Sequence, residues 1–106
     1  MAKNAAMFPT WVQTIGAIIE NDTRIDVLCS KCGARERVDP KRIRLIKGND
    51  YSLINRRCRC RLTDDCDGWN KFHYLHGVMR PLWTEERAMI WMERDWQAEK
   101  DAHRWK

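Results

Sequence analysis

Cys29 and Cys32 stand two residues apart and are followed by Gly33, and Cys60 and Cys66 stand further along the chain. A Cys-x2-Cys-Gly run is a metal knuckle. Both thiolates can reach one ion, the backbone N–H groups of the turn point at the sulfurs, and glycine supplies the positive φ that leaves the turn. A tetrahedral ion needs four ligands, and the set Cys29, Cys32, Cys60 and Cys66 provides them. Lone Cys₄ sites of this kind usually hold zinc. Four thiolates leave no open coordination position and therefore no place for substrate, so the site is expected to be structural.

The choice within the second pair is not automatic. Cys58 and Cys60 flank one residue, and a strand would point both to the same side. Cys60 makes the tighter knuckle with Cys66 and is preferred, which leaves Cys58 a spare thiol. His73 and His76 could replace a cysteine or build a second site, but on a strand their spacing puts the rings on opposite faces.

A chain of 106 residues is read as a single small domain whose core is marginal without help, which bound metal would supply. Five cysteines, an odd number, argue against a closed disulfide framework. The early apolar run, Trp11 to Ile19, is interrupted by Gln13 and Thr14 and lacks a cleavage site, so no signal peptide is expected. No stretch approaches the about 18 apolar residues of a membrane span. The expectation is a cytoplasmic protein with no membrane partner.

The elements that must position the cysteines follow from local signals. Residues 1–7 read as a disordered lead. Thr10 caps an N-terminal helix running to about Glu20, with Trp11, Ile15, Ile18 and Ile19 at helical spacing. Ile25 to Leu28 alternates as a strand into the first knuckle, and Ala34 to Val38 returns. Asp39-Pro40 opens a helix with apolar side Ile43, Leu45 and Ile46, stopped at Gly48. Tyr51, Leu53 and Ile54 pack against it in a second short helix or turn. Trp69 to Leu75 is a strand, His76-Gly77 its turn, and Val78 to Trp83 a further extended piece.

Thr84 caps the strongest helix, with Glu85 and Glu86 where the helix dipole favours acids. It carries two apolar stripes. Ala88, Met89, Met92 and Trp96 are expected to dock on the domain. Trp91, Ala98, Ala102 and Trp105 form the second stripe, with Trp91 and Trp105 as the candidate partner surface. Six tryptophans exceed what so small a core can bury, and tryptophan is enriched at interfaces. Trp69 and Trp96 are expected in the core.

The resulting fold is a small α+β domain: a zinc ribbon with an inserted helix, flanked by an N-terminal and a long C-terminal helix. The segments are 1–24, 25–83 and 84–106. Residues Asp26 to Trp83 resemble small, mostly uncharacterised bacterial and prophage zinc-ribbon proteins. The shared pattern is Cys29-x2-Cys32-Gly33, Asp39, Gly48-Asn49-Asp50, then Arg59-Cys60 to Cys66-Asp67-Gly68-Trp69-Asn70. The resemblance supports Cys60 over Cys58 and implies no particular activity.

Function is read from charge. Between Lys31 and Arg61 lie eleven basic residues against three acids, in a chain of net charge +5, so the basicity belongs to the cysteine-bearing segment. Lys41, Arg42 and Arg44, with Arg56, Arg57, Arg59 and Arg61, are the candidate phosphate contacts of a nucleic-acid-binding regulator. Two plainer roles compete: solvating the surface, or balancing the charge of about −2 on a Cys₄-held divalent ion. The alternative function is a protein-interaction module, such as a phage-type inhibitor or adaptor of a host nucleic-acid machine. It would act through Trp91 and Trp105, or form a homodimer through that helix. No glycine-rich phosphate loop or activated nucleophile is present, so no enzyme is expected.

Overall fold

A computed structural model describes residues 8–104. The predicted lead at 1–7 and Trp105 lie outside the described residues. After a short 3-10 turn at Thr10–Val12 come α1 (Ile15–Glu20), β1 (Ile25–Cys29), β2 (Arg35–Val38) and α2 (Pro40–Lys47). Then follow β3 (Arg57–Arg59), β4 (Trp69–His76), β5 (Val78–Pro81) and α3 (Glu85–Arg104). The five strands form one antiparallel sheet in the order β2-β1-β4-β3, with β5 paired to β4 alongside β3. The chain is thus α+β, with an antiparallel sheet and a long C-terminal helix.

β4 is the spine. Its first half pairs with β3, Arg59 opposite Trp69, and its second half with β5. Its other edge carries β1, which sets Ile25 opposite Tyr74 and Cys29 opposite Asn70. On one side, Val12, Ile15, Ile18, Ile25, Leu53, Tyr74 and Leu82 close into a core. The neighbouring Asp26 is buried too, and the Arg24 guanidinium answers its carboxylate at 3.0 and 3.3 Å.

The N-terminal helix starts later than its sequence predicts. Thr14, not Thr10, is the cap: its hydroxyl accepts the Ala17 N–H at 3.1 Å. The N–H groups of Ile15 and Gly16 donate to the carbonyls of Tyr51 and Asn49, a loop distant in sequence. Those acceptors decide where the helix begins. Asp39 caps α2 as expected, accepting the Lys41 N–H at 3.0 Å, and Gly48 ends it at φ 89°. Tyr51 to Ile54 is an irregular turn rather than a helix, with Leu53 buried in the core.

Two apolar assignments are overturned. On α2 only Ile43 packs against the core, while Leu45 and Ile46 are 85% and 80% exposed. An eight-residue helix leaning on α1 along one edge has no second neighbour to cover them.

On α3 the stripes are reversed. Trp91 is 4% exposed, whereas Met89, Met92 and Trp96 are 68%, 68% and 60% exposed. The cause lies upstream: Asn55 Oδ1 accepts the Thr84 N–H at 2.9 Å and Thr84 Oγ1 accepts that of Arg87 at 3.2 Å. That anchor fixes the helix's rotation and sets Trp91 6.2 Å from Trp83 and under the Arg57 guanidinium. Trp96 then faces solvent. Trp69, also expected in the core, is half-buried beneath the guanidinium groups of Arg57 and Arg59, each 4.0 Å from its ring.

Candidate metal centre

Two loops at one end of the sheet deliver four cysteines. The first joins β1 to β2. Its turn is closed by Gly33 N–H donating to Cys29 O at 3.0 Å, with Gly33 at φ 76°, and the Cys32 N–H points at Cys29 Sγ at 3.5 Å. The second follows β3 and returns into β4. Cys60 N–H donates to Gly68 O at 2.9 Å, and Gly68 N–H approaches Cys66 Sγ at 3.4 Å. Five residues between Cys60 and Cys66 are accommodated by a tight turn, in which Asp65 takes φ 63° and Cys66 N–H donates to Thr63 O.

The four Sγ atoms of Cys29, Cys32, Cys60 and Cys66 lie within 4.8 Å of one another. Cys29 and Cys66 are 3.7 Å apart, and Cys32 and Cys60 3.8 Å. A tetrahedral ion with metal–sulfur bonds of about 2.3 Å requires sulfur–sulfur edges of about 3.8 Å. The cluster therefore fits a tetrahedral metal ion. Cys29 and Cys60 sit inside, Cys32 and Cys66 at the rim. The chain itself holds their sulfurs: Thr63 Oγ1 donates to Cys32 Sγ at 3.4 Å, and Lys31 pairs with Asp67 across the two loops.

Protonation is split within the cluster. The Thr63 hydroxyl and the Ala34 backbone bring the Cys32 thiol down to about 6. At Cys66 the Gly68 N–H pulls the other way, but burial and the crowded thiols of Cys29, Cys32 and Cys60 push it up to about 12. Ligation needs thiolates, so metal loading here releases protons, as metal–thiolate formation generally does.

Cys58 stands apart from the cluster. Alternation would have put it beside Cys60, but β3 ends at Arg59 and the chain turns before Cys60. His73 and His76 are likewise separate. His73 lies edge-on to Trp83 and His76 edge-on to Trp11, and burial lowers the His73 pKa.

Gly68 is a positioning residue that spacing alone does not single out. A Cβ there would stand 2.6 Å from Lys31 Cβ and 2.8 Å from Cys29 Sγ. Gly68→Ala is expected to push the loops apart and weaken metal affinity roughly 10–100-fold. Competition against a chromophoric chelator measures this, and unchanged affinity would show that the loops have room to yield.

The candidate basic residues do not form one face. Arg57 is internal: its side chain is 9% exposed and donates two hydrogen bonds of 3.0 Å to Asp95. This is a clamp for α3, not a phosphate contact. Arg59 covers Trp69 and donates to Asp67 O at 3.0 Å beside the cysteines, while Arg61 is exposed beyond them. Arg56 belongs with α2 instead. It lies 4.8 Å from the Tyr51 ring, which Lys47 of α2 approaches at 5.6 Å.

Lys41, Arg42, Arg44, Lys47 and Arg56 are thereby one exposed group, and no ion pair joins any of them to an acid among the described residues. Lys47 and Tyr51 were not singled out from sequence, because their link is a contact across a loop. No described helix is long and apolar enough to cross a membrane. Comparison with family models, with curated proteins and with solved structures finds no match for this chain.

Proposed function

We propose that this is a zinc-stabilised nucleic-acid-binding protein of the zinc-ribbon type, related to the prophage proteins its cysteine pattern resembles. Zinc is the ion that an all-thiolate tetrahedral set ordinarily selects. The phosphate-binding surface is α2 with the Tyr51 loop: Lys41, Arg42, Arg44, Lys47 and Arg56. One observation carries this reading. These five cations are solvent-facing and unpaired with acids, whereas Lys31 and Arg57 are committed to Asp67 and Asp95. Charge balancing at the metal falls to Lys31 and Arg59, which lie beside it, and leaves the α2 group without that role.

The test is binding of the metal-loaded protein to DNA and RNA, duplex and single-stranded, across a salt series. Each phosphate contact on B-DNA adds about −0.9 to the slope of log affinity against log salt. Replacing Lys41, Arg42 and Arg44 by glutamine should weaken binding at least about tenfold and flatten the slope by about 3. Absence of binding at low salt, or affinity that does not change with salt, rejects the reading.

A further inference from the structure

Beyond Trp91 the C-terminal helix has lost contact with the body of the protein. Every residue from Met92 to Ala102 is exposed, and Asp95 with Arg57 is its one ion-paired tie to the sheet among the described residues. Helices of this length are marginal alone in water and draw their stability from packing an apolar stripe. α3 has such a stripe, and it points away from the sheet. Met89, Met92 and Trp96 fall within one narrow sector, spaced three and four residues apart like the seam of a helix pair, and together they line a shallow apolar patch with Glu93.

We infer that the Met89–Met92–Trp96 face of α3 pairs with the same face of a second copy of this chain, the two helices running antiparallel. Charge along the helix selects both partner and direction. Glu85 and Glu86 lie at its start and Lys100 toward its end. An antiparallel copy with Met92 opposite Trp96 of the second copy brings each acidic end within about a turn of the other's Lys100. A parallel copy would stack like on like.

The three side chains leave on the order of 100–150 Å² each to cover, so the pair would bury roughly 600–900 Å² of apolar surface. That is below the about 1,200 Å² of standard interfaces, and Glu93 sits beside its own copy at the rim. The dimer is therefore concentration-dependent rather than obligate. The face lies opposite Trp91 on the helix and apart from α2, so this inference stands independently of nucleic-acid binding.

Sedimentation equilibrium of the metal-loaded full chain over a concentration series tests it. The expected result is a reversible monomer–dimer equilibrium, abolished by the double change M92E and W96E with unchanged metal content and thermal stability. Lys100→Glu, which places like charges at both ends of the antiparallel pair, should weaken dimerisation about tenfold. A monomer up to about 1 mM overturns the inference and leaves the face to a different protein. A dimer that survives the double change, or is indifferent to Lys100→Glu, overturns the assigned surface or its direction.

Discussion

Cys60→Ser abolishes stoichiometric metal binding and unfolds the cysteine-bearing end of the sheet, while Cys58→Ser retains one metal per chain and the native fold. This contrast is expected because the two thiols, two residues apart, have different surroundings. Cys60 is buried with its Sγ 3.8 Å from that of Cys32, whereas Cys58 is exposed outside the cluster. Structural zinc contributes about 10–16 kcal/mol in small zinc-dependent folds, as much as the whole stability of a typical domain. A core assembled from so few buried side chains has no reserve to offset that loss. Chelation of the wild-type protein should reproduce the Cys60→Ser state. Metal content by elemental analysis and far-UV circular dichroism decide the matter. Retained metal in Cys60→Ser, or lost metal in Cys58→Ser, would reassign the fourth ligand.

The second large effect is at Trp91. Trp91→Ala is expected to cost about 3–5 kcal/mol, the range for truncating a buried aromatic, and Trp96→Ala to remain within about 0.5 kcal/mol at concentrations where the chain is monomeric. Trp91 closes a stack in which the Arg57 guanidinium lies 4.0 Å from the Trp69 ring and 5.2 Å from the Trp91 ring while gripping Asp95. Without the indole, Arg57 keeps its charge and loses part of its cover, and α3 loses its deepest contact with the sheet. Urea unfolding with amide hydrogen exchange across residues 85–102 separates global destabilisation from undocking of the helix. Equal effects at the two positions would mean that α3 is not held by this face.

Much of the fold was legible because its signals are local. Asp39-Pro40, Gly48, Thr84 and the alternation into Cys29 mark α2, α3 and β1 through capping and strand preferences that involve only neighbouring residues. Cysteine spacing likewise singled out Cys29, Cys32, Cys60 and Cys66, four thiols that the structure brings within reach of one ion.

What the sequence could not decide was orientation. A helical wheel shows two apolar stripes on α3 but not which one meets the sheet. The Asn55–Thr84 hydrogen bond, between residues far apart in the chain, makes that choice, burying Trp91 and exposing Trp96.

The basic run shows the same limit. Arg56 and Arg57 are adjacent and chemically identical, but strand β3 sends one out to Tyr51 and the other in to Asp95. By itself the sequence determined which residues could bind metal and where the caps and strands fall, since those depend on side-chain chemistry and short spacing. Only the tertiary structure decided which arginines are free, where α1 begins, and which face of α3 is left uncovered. Those depend on groups that meet only after the chain has closed on itself.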